Sequence, residues 1–228
     1  IPLPNCHHRL DISLPAPPIP AVRVLTHPHD VFFFEHDIYC SLASSYPRPL
    51  TLNSFLIYVR MLLCRSFTKS VAPYLRVGWI IPGRYRDRVL HMKYAAIGTN
   101  VPSTQLAMAA FIRDGHYHRH VRRMRQIYQQ HLETYTCWVR QYFPCEICVT
   151  RPQGGYMLWI ELPETVDMLC VSRQLCRLKL QIAPGSLFSA SGKYRHCLRI
   201  NCAMPLRDKN RESIQKVGEA VHIAMEEG

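Results

Sequence analysis

A long run of apolar residues at helical spacing constrains the fold of this chain more than any other feature. Its members recur at steps of three and four: Tyr117, Val121, Met124, Tyr128, Leu132, Tyr135, Val139 and Tyr142. This spacing places them on one face of a helix of about 26 residues, roughly 39 Å long at ~1.5 Å per residue. Pro144 ends the pattern because proline cannot continue a helix. The length of this helix predicts that it bridges two domains.

Short apolar runs on both sides of the long helix predict β-strands. They cover residues 21–25, 31–34, 55–59, 76–81, 156–162 and 196–202. Further helices are predicted over residues 103–113 and from about Asp208 onwards. The early strands are continuously apolar rather than alternating, which indicates a sheet covered on both faces. Strands and helices in this order predict an α/β fold, with a smaller α+β domain after the long helix.

The predicted elements divide the chain into three segments. Residues 1–28 carry little periodicity, and six of the first 20 residues are proline, so we expect this segment to be poorly ordered. Residues 29–115 form the predicted larger domain. Residues 116–228 form the bridging helix and the smaller domain.

The charge of the chain favours phosphate-bearing partners. The chain has 28 Lys and Arg against 16 Asp and Glu, a formal net charge of +12. Such an excess attracts nucleic acid or an anionic cofactor, and charge alone does not choose between them. Near the start of the long helix, Arg119, Arg122, Arg123 and Arg125 form a basic face. This face either contacts nucleic acid or is simply solvated.

Cysteine and apolar patterns predict the compartment. The ten cysteines are scattered, which favours reduced thiols over a disulfide framework. Cys145 and Cys148 have the spacing of a metal or redox pair, but no second pair stands at zinc-site distance, and we expect no metal site. No apolar run reaches the ~18–20 residues of a membrane span. These features predict a cytoplasmic protein without membrane contact.

The densest chemistry lies between Ser66 and Gly78, in a segment that reads Ser-Phe-Thr-Lys-Ser-Val-Ala-Pro-Tyr-Leu-Arg-Val-Gly. Lys69 lies there between two predicted strands, where an amine partly removed from water attacks carbonyl carbons more readily. Nearby hydroxyls and Arg76 supply the hydrogen-bond donors and the permanent charge that a phosphate requires. On spacing alone, a surface lysine in a polar loop is the favoured interpretation.

These residues resemble a known signature. Ser-Phe-Thr-Lys followed by Ala-Pro-x-Leu-Arg-x-Gly is similar to the lysine motif of fold type I pyridoxal-phosphate enzymes, the class I/II aminotransferases. The closest resemblance is to the aminotransferase-like domain of MocR-type regulators of the GntR family. Residues 105–111, 115–125, 154–163, 182–188 and 197–202 also resemble that group, in order, within a similarity that runs over about 31–221.

The resemblance implies roles for individual residues around Lys69. Lys69 corresponds to the lysine that forms a Schiff base with pyridoxal 5'-phosphate and moves the proton at the substrate α-carbon. Ser66 and Arg76 correspond to phosphate ligands, with Thr68 as a further candidate. Tyr39 corresponds to the tyrosine that hydrogen-bonds the phenolic oxygen of the cofactor.

The resemblance implies two further roles. At one of these positions the chain differs from the family, and at the other a second interpretation is open. Family members carry an acid three residues before the tyrosine, paired with the pyridine nitrogen, and here His36 holds that place. Asp37 substitutes only if the strand register slips by one residue, which turns its side chain to the other face. Arg199 corresponds to the arginine that grips the substrate carboxylate. Its alternative is an outward arginine on a strand whose neighbours Leu198 and Ile200 face inward.

The resemblance also implies fold and activity. The chain corresponds to a partial fold type I transferase: the C-terminal part of the large cofactor-binding domain over residues 29–115, and the small α+β domain over 116–228. The implied activity is transfer of amino groups between amino acids and 2-oxo acids by a homodimer. One alternative is the effector-sensing domain of a GntR/MocR regulator, which contacts DNA only through a winged-helix domain that this chain does not match. The other is a catalytically degenerate fragment.

Overall fold

The computed structural model describes residues 33–44 and 61–226. The predicted segment 1–28 and the predicted strands at 21–25 and 55–59 lie outside these residues. The described residues belong to two compact units, the first ending at Arg125 and the second beginning at Gln126. The boundary predicted at residues 115 and 116 stays a prediction.

Among the described residues of the first unit, a three-stranded mixed sheet forms the centre. Strand β1 (Phe33–His36) runs parallel to β2 (Met61–Ser66), and β2 runs antiparallel to β3 (Gly78–Ile81). Gly78 lies opposite Ser66, and a Cβ at Gly78 would lie 2.7 Å from the Arg65 carbonyl oxygen. Only glycine therefore allows this close pairing, which ends the two strands at the same level.

Two helices follow the sheet in the first unit. Helix α1 covers Arg86–Ile97 and helix α2 covers Pro102–Arg113. Proline suits the first turn of α2 because its missing N–H has no partner there in any helix. The prediction of a helix at 103–113 is confirmed within one residue. Helix α1 was not predicted, because its apolar residues are spread around the axis and form no stripe.

Part of the apolar surface in the first unit is open to solvent. Leu90, Met92 and Tyr94 of α1 are all exposed, and Trp79 and Ile81 of β3 are more than one-third exposed. The sheet is therefore not covered on both faces at β3, contrary to the expectation from its continuous apolar sequence. A monomeric soluble protein seldom exposes this much apolar surface in one region.

Helix α3 (His116–Tyr142) confirms the long helix predicted from the periodicity. It has 27 residues, and Val121, Tyr135 and Val139 on its apolar face are buried. Its residues up to Arg125 belong to the first unit and the remainder to the second. No described helix combines the length and apolarity that crossing a membrane requires.

The second unit is an antiparallel sheet packed against helices. Strands β4 (Cys148–Val149), β5 (Met157–Glu161), β6 (Ala183–Pro184) and β7 (Cys197–Asn201) lie in the order β4-β5-β7-β6. Helices α4 (Met168–Arg177) and α5 (Asp208–Glu226) complete it. The strands predicted at 156–162 and 196–202 are confirmed in shorter form, and so is the helix from Asp208.

The core of the second unit lies on one face of this sheet. Leu158 and Ile160 of β5 pair with Ile200 and Leu198 of β7, and all four side chains are buried. They pack with apolar residues from the second part of α3 and from α4 and α5. This cluster agrees with the predicted α+β architecture.

Helix α4 begins at a charged cap. The Asp167 carboxylate accepts a hydrogen bond from the backbone N–H of Leu169 at 2.9 Å and forms an ion pair with Arg195 at 2.5 Å. The hydrogen bond from Arg195 lowers the pKa of Asp167 from its ordinary value of 3.8. The cap satisfies a backbone donor that the first helical turn leaves open.

Loss of this cap is expected to destabilise the second unit. Asp167→Ala should lower the free energy of unfolding by about 1 kcal/mol, measured by chemical denaturation at pH 7. Asp167→Asn keeps a side-chain acceptor and should lose less.

The pH dependence of stability separates the hydrogen bond of the cap from the ionic contribution of Asp167. Because the pKa of Asp167 is lowered on folding, its ionic contribution is complete above pH 3.8 and is lost as the pH falls through the folded-state value. The difference in the free energy of unfolding between wild type and Asp167→Asn should therefore shrink to near zero at low pH. A difference that persists unchanged at low pH would contradict this account.

Candidate active site

A single loop, residues 67–77, carries Thr68, Lys69 and Arg76, and Ser66 immediately precedes it; we call this segment the Lys69 loop. It joins β2 to β3, and the backbone N–H of Phe67 donates to the Val77 carbonyl at 3.0 Å. This hydrogen bond closes the loop directly above the Ser66–Gly78 pair. Lys69 follows one end of the closure and Arg76 precedes the other. The antiparallel strands therefore place the predicted amine and the predicted phosphate ligand on one short closed loop.

Hydroxyl groups order the first turn of the Lys69 loop. The Ser66 hydroxyl donates to the Thr68 hydroxyl at 2.8 Å and accepts from the Thr68 backbone N–H at 3.1 Å. Lys69 comes next and is half-buried. This turn presents two hydroxyls and an amine within four residues.

Arg76 has an unusual backbone. Its φ of 52° and ψ of 36° lie in the left-handed region, directly after the short 3-10 helix Pro73–Leu75. Residues other than glycine adopt this region at a cost of order 1 kcal/mol, and such positions cluster at functional sites. The Arg76 side chain is exposed. It is therefore available to an anionic group at the mouth of the loop.

The strand register decides which face carries His36. His36 pairs with Cys64 across β1 and β2, and Ser66 lies two residues beyond Cys64 on the same strand. Because side chains alternate along a strand, His36, Cys64 and Ser66 share one face of the sheet. His36 therefore faces the same side of the sheet as the Ser66 hydroxyl.

Asp37 lies on the opposite face from His36. Its carboxylate is fully buried and forms an ion pair with the Arg65 guanidinium at 2.8 Å. Arg65 also stacks over the Trp79 ring, with its guanidinium carbon 5.2 Å from the ring centroid. The register slip that Asp37 needs to replace His36 does not occur in this sheet. Arg65 was not predicted, because its partner lies 28 residues away in sequence.

Burial sets the charge state of His36. Removal from water lowers the pKa of His36 below its ordinary 6.5, and the nearby Asp37 carboxylate opposes this effect only in part. The imidazole is therefore neutral at pH 7. A neutral imidazole has one ring nitrogen that donates and one that accepts.

The first turns of α3 anchor the Lys69 loop. The His120 ring nitrogen Nε2 donates to the Ser70 carbonyl at 2.9 Å, directly beside Lys69. The Phe67 ring meets the Tyr117 ring edge-to-face, with centroids 5.6 Å apart. The sequence pattern did not predict these contacts, because they join residues about 50 positions apart.

The same turns of α3 hold the segment after Tyr39. The Tyr117 hydroxyl forms a 2.8 Å hydrogen bond with the Ser41 hydroxyl, and Arg125 Nε donates to the Ser41 carbonyl at 2.7 Å. Tyr39 itself is buried, just before the 3-10 helix Cys40–Leu42. Helix α3 thus supports both Tyr39 and the Lys69 loop.

Arg199 belongs to the second unit and lies on the sheet face opposite the core. It pairs with Trp159 of β5 and Ala183 of β6, whereas its neighbours Leu198 and Ile200 are buried in the core. Its guanidinium carbon lies 4.2 Å from the centroid of the Phe188 ring. Arg199 also lines a cavity of ≈ 470 Å³ within this unit. The stacking gives its planar donor group a fixed direction.

Comparison with protein families gives one match that spans most of the chain. The profile described as aminotransferase class I and II matches residues 18–217. The chain is 61% identical over 224 residues to an uncharacterized HTH-type transcriptional regulator, YjiR, of Escherichia coli, covering 98% of this chain and 48% of that protein. It is 25% identical over 166 residues to the 2-aminoadipate transaminase of Thermus thermophilus, covering 72% of this chain and 41% of that protein.

Solved structures share the fold. The α-aminoadipate aminotransferase LysN of Thermus thermophilus, complexed with N-(5'-phosphopyridoxyl)-L-leucine, matches with a TM-score of 0.90 and 21% identity over 99% of this chain and 59% of that one. The multiple substrate aminotransferase of Thermococcus profundus matches with a TM-score of 0.89 and 18% identity, covering 99% and 56%. The predicted α/β fold is thereby confirmed. The chain spans about half the length of the curated relatives that it matches.

The buried ion pair beneath the site is expected to be essential for stability. Arg65→Ala should lower the free energy of unfolding by about 3 kcal/mol, because the buried Asp37 carboxylate loses its cation. The solvent-exposed pair of Arg113 and Asp114, 2.9 Å apart, is the matched control. Arg113→Ala should cost less than ~1 kcal/mol. Equal losses in urea denaturation of the two variants would contradict the importance of the Asp37–Arg65 pair.

Proposed function

Because the chain belongs to the class I and II aminotransferase family, we propose that it binds pyridoxal 5'-phosphate through Lys69 and transfers amino groups between amino acids and 2-oxo acids. The observation that carries the proposal is the closed Lys69 loop, which holds Lys69 and Arg76 between two paired strands, with Ser66 at the end of the first strand.

The donor set of the loop suits the cofactor phosphate. Ser66 and Thr68 offer hydroxyl donors, and Arg76 offers a permanent positive charge with a planar pair of donors. The left-handed backbone at Arg76 directs this residue out of the strand line. We assign phosphate binding to these three residues.

Lys69 would hold the cofactor covalently and move the proton at the α-carbon of the substrate. When bound, pyridoxal phosphate supplies an electron sink for the bonds at that carbon. Proton transfer requires that the amine stay in place, and the hydrogen bond from His120 to the Ser70 carbonyl restrains the backbone next to Lys69. We propose that His120 positions this loop.

Two residues are proposed to orient the substrate and the ring. Tyr39 would donate a hydrogen bond to the phenolic oxygen of the cofactor, and its burial limits its rotation. Arg199 would bind the substrate carboxylate through its two parallel donors, a role that its stacking on Phe188 supports. The carboxylate class of substrate follows from the arginine, whereas the side-chain preference does not.

His36 is proposed to face the pyridine nitrogen in place of the family's acid. Its shared face with Ser66 supports this assignment, and the ion pair of Asp37 with Arg65 assigns Asp37 to structure instead. A neutral imidazole keeps the ring nitrogen protonated less effectively than a carboxylate does. We therefore expect the chain to bind the cofactor but to catalyse transamination slowly.

A second candidate function is an effector-sensing domain of a transcriptional regulator, with the cofactor as ligand. The observation that favours it is the 61% identity, over 98% of this chain, to a protein named as an HTH-type transcriptional regulator. DNA would then be contacted through a winged-helix domain of the whole protein. His36 fits this candidate as well, because a sensor needs binding without turnover. A degenerate domain with neither activity is the third outcome of the tests below.

Assembly and compartment complete the proposal. The exposed apolar side chains of α1 favour a homodimer or cover by further parts of the family fold. The nine described cysteines are free thiols, which fits a reducing cytoplasm.

The Lys69 assignment predicts a specific covalent adduct. Pyridoxal phosphate added to the purified chain should give a visible absorption band, and borohydride should fix the cofactor mass on the peptide that contains Lys69. Lys69→Ala should lose both signals. Lys93→Ala, which removes an exposed lysine of α1, is the control and should keep them. An undiminished visible absorption band in Lys69→Ala would contradict the assignment of Lys69 as the cofactor lysine.

The role of His36 predicts a gain of catalysis by substitution. His36→Asp should raise the rate of the half-reaction with L-alanine, L-glutamate or L-phenylalanine by about tenfold, which is ~1.4 kcal/mol of barrier. His36→Asn, neutral and similar in size to Asp, should give no such gain. Single-turnover loss of the visible band measures the rate, and equal rates in the two variants would exclude the proposed ring contact.

A further inference from the structure

Positive charge is concentrated in the first unit. Its described residues, 33–44 and 61–125, contain 12 Lys and Arg against four Asp and Glu. The described residues of the second unit, 126–226, contain 12 against nine. Of the four acids in the first unit, Glu35 and Asp37 are buried, and Asp87 and Asp114 each pair with the arginine beside them. The described surface of this unit therefore has few acids to offset its cations.

The first turns of α3 carry the clearest part of this charge. Arg119, Arg122 and Arg123 are exposed, and within the described ranges none of the three has an ion-pair partner. At 100° per residue they fall within one side of the helix, together with the exposed His118. Arg125 differs, because its Nε is occupied by the Ser41 carbonyl. We call the surface of Arg119, Arg122 and Arg123 the α3 basic face.

This arrangement is unfavourable for the helix on its own. Arginines three and four residues apart repel each other, as Arg119 does with Arg122 and Arg123. An ordinary solvated helix face mixes both signs, whereas residues 115–132 contain no Asp or Glu. A bound polyanion would offset the repulsion.

We propose that the α3 basic face binds the phosphate backbone of double-stranded DNA without reading its sequence. This proposal stands independently of cofactor binding and does not require Lys69. The three arginines span ~6 Å along the helix axis at 1.5 Å per residue. These cations, about 3 Å apart along the helix axis, face a duplex that carries one negative charge per ~1.7 Å of its axis, and guanidinium groups bind phosphate oxygens bidentately.

A charge-matched pair of variants tests the proposal. The surface variant is R119Q/R122Q/R123Q, in which glutamine keeps the helical propensity. The control variant, R151Q/R173Q/R177Q, removes three exposed arginines of the second unit and lowers the net charge equally. Fluorescence anisotropy with a labelled 30-base-pair duplex of arbitrary sequence measures binding across a series of salt concentrations, with circular dichroism melting as the check of folding.

Wild type should bind the duplex with a Kd of about 1–100 μM near physiological salt. The surface variant should bind at least about tenfold more weakly, and its slope of log affinity against log salt should fall by about three. The control should stay within about twofold of wild type. If the surface variant melts at a lower temperature than wild type, the single variants R122Q and R123Q are measured instead. Each should lower the slope of log affinity against log salt by about one.

Three results would overturn the proposal. The first is wild-type binding weaker than the stated range. The second is equal weakening by the surface and control variants, which would show that net charge alone attracts DNA. The third is preferential binding of single-stranded RNA or phosphatidylserine vesicles in the same assay.

Discussion

The antiparallel pairing of β2 with β3 is the constraint on which the site depends. The strands end together at Ser66 and Gly78, where no side chain fits between Gly78 and the Arg65 carbonyl. This pairing brings both ends of the Lys69 loop to one place, and the Phe67–Val77 hydrogen bond closes it. Without the closure, Ser66 and Arg76 would be ten residues apart on a flexible chain. Ordering them in advance removes an entropic cost from any phosphate that binds.

Side chains alternate between the two faces of the sheet along β1, so the adjacent residues His36 and Asp37 face opposite sides. Asp37 faces one side, where its buried carboxylate and Arg65 stabilise the sheet. His36 faces the other, toward the side that Ser66 occupies. A carboxylate bound to a guanidinium stabilises the sheet and is not available to a ligand, which leaves His36 as the proposed contact of the cofactor ring. Under the proposed assignments, the chain combines a phosphate-binding loop with a weaker partner for the ring nitrogen of the cofactor.

Sequence reasoning succeeded where the signal was local. Helix α3 was predicted because its apolar residues repeat within a few positions, and β3, β5 and β7 because their apolar runs are short and bounded. Helix α1 was missed because exposed apolar residues surround its axis. The contact of His120 with Ser70 was missed because its partners lie 50 residues apart and neither residue type signals the other.

The sequence by itself determined the α/β class, the long helix and the motif that contains Lys69, since each depends on residues close together in the chain. The tertiary structure decided that His36 rather than Asp37 shares a face with Ser66, and that Arg65 and α3 support the site. Strand register and long-range pairing set these relations. A one-residue change of register would reverse every face while leaving the local sequence unchanged.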